Sequence, residues 1–99
     1  MVRHIAMWNF KVGFSDEENL HNAQTLKAEW ENLSSVIEGI VSFEVIISAL
    51  KSGNRDIMLN SLFTDAEALA AYQVHPEHVR VNKYAANVLT NRACVDYLE

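Results

Sequence analysis

The chain has 99 residues, of which 49% are hydrophobic and 21% charged, a composition that predicts one globular domain over residues 1–99 with a modest core. Its formal net charge is −5 and its 8 lysines and arginines are scattered, which argues against nucleic acid as a partner. The N-terminal residues lack the apolar core of a signal peptide, and no window approaches the ~20 apolar residues of a membrane-spanning helix. We therefore expect a cytoplasmic protein without a membrane partner.

The N-terminal third predicts a strand followed by a long helix. Val2 to Lys11 is rich in β-branched and aromatic residues that alternate as in a strand. After a turn with Gly13, Ser15 and Glu18 have the spacing of a capping box, in which each residue satisfies a free N–H at the helix start. Gly39 is expected to end this helix. Its predicted buried side consists of Leu20, Ala23, Leu26, Trp30, Leu33 and Ile37.

The middle of the chain predicts a β-hairpin. Ile40 to Leu50 is a long apolar strand, and the polar segment Lys51 to Arg55 contains turn residues. Asp56 to Phe63 alternates again as a strand. In the first of these strands the odd-numbered positions form one continuous apolar face: Val41, Phe43, Val45, Ile47 and Ala49.

Two helices are predicted after the hairpin. Thr64 and Glu67 have the spacing of a second capping box, which predicts a short helix. This helix should end near Gln73, because Pro76 disfavours helical geometry in the residue before it. Pro76 is itself suited to the first position of a new helix, since the N–H that it lacks would be unpaired there. Apolar residues at helical spacing carry this third helix to about Thr90.

Ala93 to Leu98 is typical of a last short strand, which gives the order βαββααβ. This order predicts an α+β, ferredoxin-like fold with a four-stranded antiparallel sheet and helices on one face. The uncovered sheet face then requires a partner, because monomers rarely expose a large contiguous apolar patch. We expect a homodimer that forms an α/β barrel through the apolar face of the second strand: Val41, Phe43, Val45 and Ile47.

Two sequence segments resemble a known family. Residues 72–79 match the pattern Y-x-x-H-P-x-H-V, and the chain begins with V-R-H-I after its first methionine. Both segments resemble the stress-responsive dimeric A/B barrel family, and because they lie at opposite ends of the chain, the resemblance covers essentially all of it. The resemblance implies the same dimeric barrel.

Three polar side chains are candidates for chemistry. If one sheet face forms the barrel, a pocket can lie only between the other face and the helices, where His4 could meet Tyr72 and His78. Histidine exchanges a proton near neutral pH, and a tyrosine hydroxyl can hydrogen-bond a carbonyl oxygen or a developing oxyanion. These properties suit enolisation or aldol chemistry. Further candidates for contact with a ligand are Trp8, Trp30, Ile57 and His75.

Each candidate also has a structural interpretation. His4 could be a packed histidine with a backbone partner, and His75 could cap the helix that begins at Pro76. His75 and His78 are three residues apart and could share a metal, but His75 precedes the proline and no third ligand lies at short spacing. We therefore expect no metal and no organic cofactor.

The resemblance implies two classes of function. The family contains a plant polyketide cyclase that needs no cofactor and a boiling-stable plant stress protein without a settled enzymatic role. The tyrosine–histidine pair of the cyclase corresponds to Tyr72 and His78, and its first-strand histidine to His4. Its third-strand histidine corresponds to Ile57, and its first-helix pocket tyrosine is missing, so we do not predict polyketide cyclisation. The sequence leaves open a small-molecule lyase, cyclase or isomerase, or a non-catalytic stress-response or assembly protein.

Overall fold

The computed structural model describes residues 1–48 and 50–99 of the chain, so Ala49 of the predicted apolar face lies outside the described residues. The order is βαββααβ, as predicted, and the α+β, ferredoxin-like fold class is confirmed. A 3₁₀ turn, Leu33–Ser35, follows the first helix. The elements are β1 Val2–Phe10, α1 Asp16–Asn32, β2 Ile40–Ile47, β3 Ile57–Phe63, α2 Ala66–Val74, α3 Pro76–Val88 and β4 Leu89–Leu98.

The four strands form one antiparallel sheet in the order β2-β3-β1-β4. All three helices contribute to a core on one face of this sheet, and alternate residues of the two central strands point into that core. From β1 these residues are Val2, His4 and Ala6, and from β3 they are Ile57, Leu59, Ser61 and Phe63. The helices in the described residues are too short or too polar to cross a membrane.

The helix starts are set by local capping. The box predicted at α1 is confirmed: Glu18 N–H donates to Ser15 Oγ at 3.1 Å, and Ser15 N–H donates to Glu18 Oε1 at 2.9 Å. The box predicted from Thr64 is wrong. Asp65 is the N-cap of α2 instead, and its Oδ1 accepts a hydrogen bond from Ala68 N–H at 2.7 Å. Aspartate is among the strongest N-cap residues, so the helix begins one residue later than the threonine predicts.

The prediction of which β2 residues face the dimer partner is wrong. A register shift near Val41 leaves that side chain half exposed. Beyond the shift, three residues of the expected interface pair with buried residues of β3: Phe43 with Ser61, Val45 with Leu59 and Ile47 with Ile57. These three side chains pack on the helix side, and Val45 is fully buried in the core. Alternation shows which residues share a face but not which face meets the helices, and that is the physical reason for the error.

Two smaller differences concern α1 and the C-terminal strand. β4 begins directly after α3, at Leu89 rather than at Ala93, because Leu89 is buried and pairs with Phe10. Leu20, predicted on the buried side of α1, is 48% exposed.

The outer edge of β2 is joined to α1 through two charged side chains. Glu31 Oε2 accepts a hydrogen bond from Val45 N–H at 2.9 Å, and Lys27 Nζ donates to Val45 O at 2.5 Å. Lys27 and Glu31 also form an ion pair at 2.8 Å. Burial alone raises the pKa of Glu31, but the hydrogen bonds from Lys27 and Val45 outweigh this and hold its pKa below the usual range. Both outward-facing backbone groups of Val45, on the edge strand β2, are thereby bound by side chains of α1.

The sheet face that points away from the helices is called the open face below. Its central residues are partly buried in the single chain, and its outer residues are exposed. Apolar side chains on it are Ile5, Met7, Ile46, Met58, Leu62, Val95 and Tyr97.

Gly39 generates a prediction about stability. Its φ of +90° disfavours any side chain, and a Cβ there would lie 2.6 Å from Ala68 Cβ. Gly13 has a similar φ of +108° but no atom within 4 Å of such a Cβ. We expect Gly39→Ala to lower the free energy of unfolding by about 1–3 kcal/mol more than Gly13→Ala, as measured by urea denaturation.

Ala68→Gly is the matched control, because it removes the clashing atom. The double variant Gly39→Ala, Ala68→Gly should be more stable than the sum of its single changes predicts. Equal losses in Gly13→Ala and Gly39→Ala would contradict the close approach of α2 to Gly39.

Candidate functional site

The break between α2 and α3 positions two of the candidate side chains. His75 has an extended backbone, with φ −65° and ψ 134°, and its N–H donates to Tyr72 O at 3.2 Å. Pro76 is the first residue of α3, as predicted. The last turn of α2 therefore meets the first turn of α3, and the Tyr72 and His78 rings lie 4.0 Å apart between centroids.

His75 itself acts as a cap. Its Nδ1 accepts a hydrogen bond from Glu77 N–H at 3.1 Å, which satisfies a free donor at the start of α3. The structural interpretation of His75 is therefore confirmed, and its side chain does not line the cavity described next.

His4, Tyr72 and His78 are brought together at one cavity of about 30 Å³ between the sheet and the helices. The His4 and Tyr72 rings are 6.3 Å apart between centroids. All three residues are buried, with exposed fractions of 3%, 0% and 9% respectively. The other residues lining the cavity are Trp8, Leu59, Gln73, Asn82 and Arg92.

The hydroxyl of Tyr72 is buried and has no hydrogen-bond partner among the described residues. Burial raises its pKa well above the usual value, and the charge of Arg92 only partly offsets this effect. Tyr72 therefore keeps its proton at neutral pH and is a hydrogen-bond donor. An unpaired buried hydroxyl costs about 1–3 kcal/mol, so an acceptor placed beside it would be bound favourably.

His78 has the opposite character, because it can accept a proton. Its Nδ1 lies 3.3 Å from Gln73 O, and since a carbonyl oxygen only accepts, Nδ1 carries the hydrogen. Burial lowers the pKa of His78, the hydrogen bond to Gln73 opposes that effect, and the charges of His4, Arg92 and His75 add to the lowering. His78 is thus neutral at pH 7, with Nε2 free to act as a base.

His4 is held by a residue that the sequence did not single out. Its Nδ1 donates to Asp96 Oδ1 at 2.5 Å, from the neighbouring position on β4. Asp96 thereby fixes the orientation of the His4 ring. Only the pairing of β1 with β4, two strands from opposite ends of the chain, identifies Asp96 as the partner.

The two tryptophans and Ile57 lie at different depths. Trp8 lines the cavity, and Trp30 stacks behind it with ring centroids 5.0 Å apart. Trp30 is fully buried and donates from Nε1 to Asn82 Oδ1 at 3.4 Å. Ile57 is buried in the core at the start of β3, and the wall of the cavity contains Leu59 instead.

One group of metal-ligand side chains occurs among the described residues. His4, Cys94 and Asp96 place donor atoms within 4.8 Å of one another. However, His4 Nδ1 already donates to Asp96, and partial burial together with the Asp96 carboxylate raises the pKa of the Cys94 thiol. His4 and Cys94 both contact Asp96, so the three groups are bonded to one another without an ion. The absence of a metal stays a prediction.

Comparison with known proteins identifies the family. The model of the Stress Responsive A/B Barrel Domain matches residues 2–99. The chain belongs to the stress-responsive A/B barrel family. It is 31% identical over 100 residues to the stress-response A/B barrel domain-containing protein HS1 of Arabidopsis thaliana, covering 97% of this chain and 87% of that protein. The resemblance seen in the sequence is thus confirmed.

Two solved structures show how widely the architecture of this family is used. A dimeric protein of unknown function from Bacteroides fragilis has a TM-score of 0.91 and 32% identity, covering 97% of this chain and 93% of that one. Hydroxynitrile lyase from Passiflora edulis has a TM-score of 0.79 and 14% identity, covering 97% and 90%. The second likeness is one of fold alone, and it shows that the fold can support an enzyme.

The pKa of His78 generates a testable prediction. We expect its imidazole to titrate below 6.5 in the folded protein, as followed by NMR of the histidine ring protons. The unfolded chain then takes up the proton first as the pH falls. The free energy of unfolding should therefore decrease as the pH falls from 6.5 through the folded-state pKa of His78.

His78→Gln removes this contribution. Between about pH 7.5 and about pH 5 the free energy of unfolding should therefore fall more steeply in wild type than in the variant. His21→Gln, at an exposed position of α1, controls for the loss of one imidazole. A His78 midpoint at or above 6.5 would contradict the effect of burial.

Proposed function

We propose that the protein binds a small carbonyl or aromatic compound between its sheet and its helices, and that His4, Tyr72 and His78 provide acid–base chemistry without a cofactor. The observation that carries the proposal is the unpaired, buried Tyr72 hydroxyl beside two imidazoles in one cavity. The Tyr72 hydroxyl, a donor without an acceptor, lies next to the neutral imidazole of His78, and this pair is complementary to a carbonyl group with an acidic hydrogen nearby. A cytoplasmic location remains part of the proposal.

The chemistry follows from the proton state of each group. Neutral His78 Nε2 takes a proton from the carbon next to the carbonyl, and the electrons of that C–H bond move into the carbonyl to form an enolate. The Tyr72 O–H donates a hydrogen bond to the oxygen on which negative charge develops. If the carbon that loses the proton also adjoins a C=C bond, the product is a dienolate, and return of the proton from His78 to its far carbon gives isomerisation. Attack of the enolate on a second carbonyl of the same compound forms a C–C bond and an alkoxide, which takes the proton from His78, and this gives cyclisation. In the reverse direction a hydroxyl gives its proton to His78 as the C–C bond breaks, which is a lyase reaction.

A non-catalytic stress-response or assembly protein is the second candidate function. The cavity of about 30 Å³ at the three side chains is no larger than one water molecule, which favours this alternative. A relative named for the stress response is also consistent with it.

Ligand binding distinguishes the two candidates. We would screen small aromatic and β-dicarbonyl compounds by thermal shift on wild type, Tyr72→Phe and His78→Gln. Tyr72→Phe keeps the ring and removes only the hydroxyl, so a ligand of this site should lose about tenfold in affinity. A ligand bound equally by all three proteins would place the binding site elsewhere and favour the second candidate.

Proton abstraction can be measured directly. In D₂O the wild type should accelerate deuterium incorporation at the carbon between the carbonyls of a bound β-dicarbonyl compound, as followed by NMR, and His78→Gln should not. Binding without accelerated exchange would indicate a binding protein rather than an enzyme.

The proposal includes a homodimer through the open face. Seven apolar side chains share this face, and the Bacteroides fragilis relative is dimeric. Burial contributes about 25 cal/mol per Å², so covering a few hundred Å² per subunit offers roughly several kcal/mol before association costs. A second copy of the chain has the matching apolar face that a two-fold interface requires.

Three matched Val→Asp substitutions test this interface. Val95→Asp, at a 57% exposed position of the open face, should give a folded monomer by sedimentation because it would bury a charge between subunits. Val12→Asp, at a position that is 98% exposed and outside the sheet, should stay dimeric. Val45→Asp should unfold the subunit, because that side chain is fully buried in the core. A dimeric Val95→Asp protein would contradict the interface.

A further inference from the structure

A β-bulge lies in β4 beside the candidate site. Met7 pairs with Ala93 and Asn9 with Thr90, so Trp8 is opposite two residues, Asn91 and Arg92. Asn91 has a φ of 57°, a conformation that no other non-glycine residue in the described ranges adopts. Asn91 Nδ2 donates to Asn9 Oδ1 at 2.7 Å. Such bulges change the direction of a side chain and often occur next to functional sites.

Here the bulge changes the direction of Arg92. Counted from the buried Leu89, strict alternation would put Arg92 on the open face. The extra residue brings it to the same side as Trp8, and its guanidinium carbon lies 5.9 Å from the centroid of the Trp8 ring. The bulge, with Asn91 in the left-handed conformation, thus places a cation beside Trp8 at the wall of the cavity.

Arg92 contacts the Trp8 ring, and its charge opposes the burial that raises the pKa of Cys94, but it has no carboxylate partner in the part of the chain that the structure describes. It takes part in none of the five ion pairs found among the described residues. The chain as a whole carries a formal charge of −5, which disfavours anions in general. A cation without a carboxylate partner at the mouth of a pocket is therefore a local exception that would attract an anionic group.

Arg92 also lies where two cavities meet. The small cavity of His4, Tyr72 and His78 and an adjoining cavity of about 190 Å³ share three lining residues, Trp8, Asn82 and Arg92. The walls of the larger cavity are otherwise apolar, from Ala85, Ala86 and Leu89. Because Asn82 Oδ1 accepts from Trp30, the amide of Asn82 is left as a second donor at the junction.

We propose that the ligand of this pocket is a small carboxylic acid that also has a carbonyl or aromatic hydroxyl oxygen. Arg92 and Asn82 hold the carboxylate at the junction of the two cavities. The apolar body lies against Trp8 in the larger cavity, and the second oxygen enters the small cavity to accept from Tyr72. This inference rests on the proposed function, and it names Arg92 as the residue that determines the substrate class.

The test compares acids with their neutral esters. Binding of 4-hydroxybenzoate, phenylpyruvate and their methyl esters to the full-length protein is measured by isothermal titration calorimetry. Wild type should bind the acids at least about tenfold tighter than the esters, since hydrogen bonds to charged groups are the stronger ones. Arg92→Gln should lose this preference for acids but bind the esters as tightly as wild type does, and Arg92→Lys should recover part of the preference. Lys83→Gln, an exposed change of equal charge on α3, should match wild type.

Two results would overturn the inference in different ways. If wild type binds acids and esters equally, or if Lys83→Gln weakens acid binding as much as Arg92→Gln, the role of Arg92 is wrong. In that case, weaker ester binding by Tyr72→Phe than by wild type would still support the proposed ligand pocket. If wild type binds neither acids nor esters, the inference and the proposed ligand pocket both fail.

Discussion

The candidate site depends on one backbone constraint, the proline at position 76. In a continuous helix, residues 72 and 78 would lie about 120° apart around the axis, because 3.6 residues make one turn. Pro76 forces His75 into an extended conformation and starts a new helix at once. The Tyr72 and His78 rings, each at the end of its own helix, can then meet at 4.0 Å.

The polar groups buried beneath the helices differ in how completely they are hydrogen-bonded. Ser61 Oγ donates to His4 O at 2.9 Å, His4 to Asp96, and His78 to Gln73. The bonds of His4 and His78 each use Nδ1, and both residues line the cavity. The Tyr72 hydroxyl has no hydrogen-bond partner in residues 1–48 and 50–99, so folding leaves a cost at this residue that an acceptor in the cavity would recover. Stability and binding therefore oppose each other here.

Most features determined by neighbouring residues could be predicted from the sequence, although the cap of α2 proved to be Asp65 rather than Thr64, whereas side-chain directions determined by strand pairing could not. The cap at Ser15 and the helix break at Pro76 involve contacts within a few residues, and both were confirmed. The meeting of His4 with Tyr72 and His78 followed from the fold class. The direction of Val45, in contrast, depends on the register of β2 against β3.

The same limit applies to the site residues that the sequence missed. Asp96 is recognisable only through its pairing with His4, more than ninety positions away in the chain. Arg92 precedes the strand that the sequence predicted, and its direction depends on a bulge opposite Trp8. Alternation within one strand contains no information about either contact.

The pair of Lys27 and Glu31 has a consequence for behaviour at high concentration. An edge strand with free N–H and C=O groups is a template on which the strands of other chains can add, and this is a common start of aggregation. At Val45 both backbone groups are already bound by side chains of α1. An incoming strand would have to displace a charged pair first, so this edge resists fibril growth while the flat side of the sheet stays free to associate.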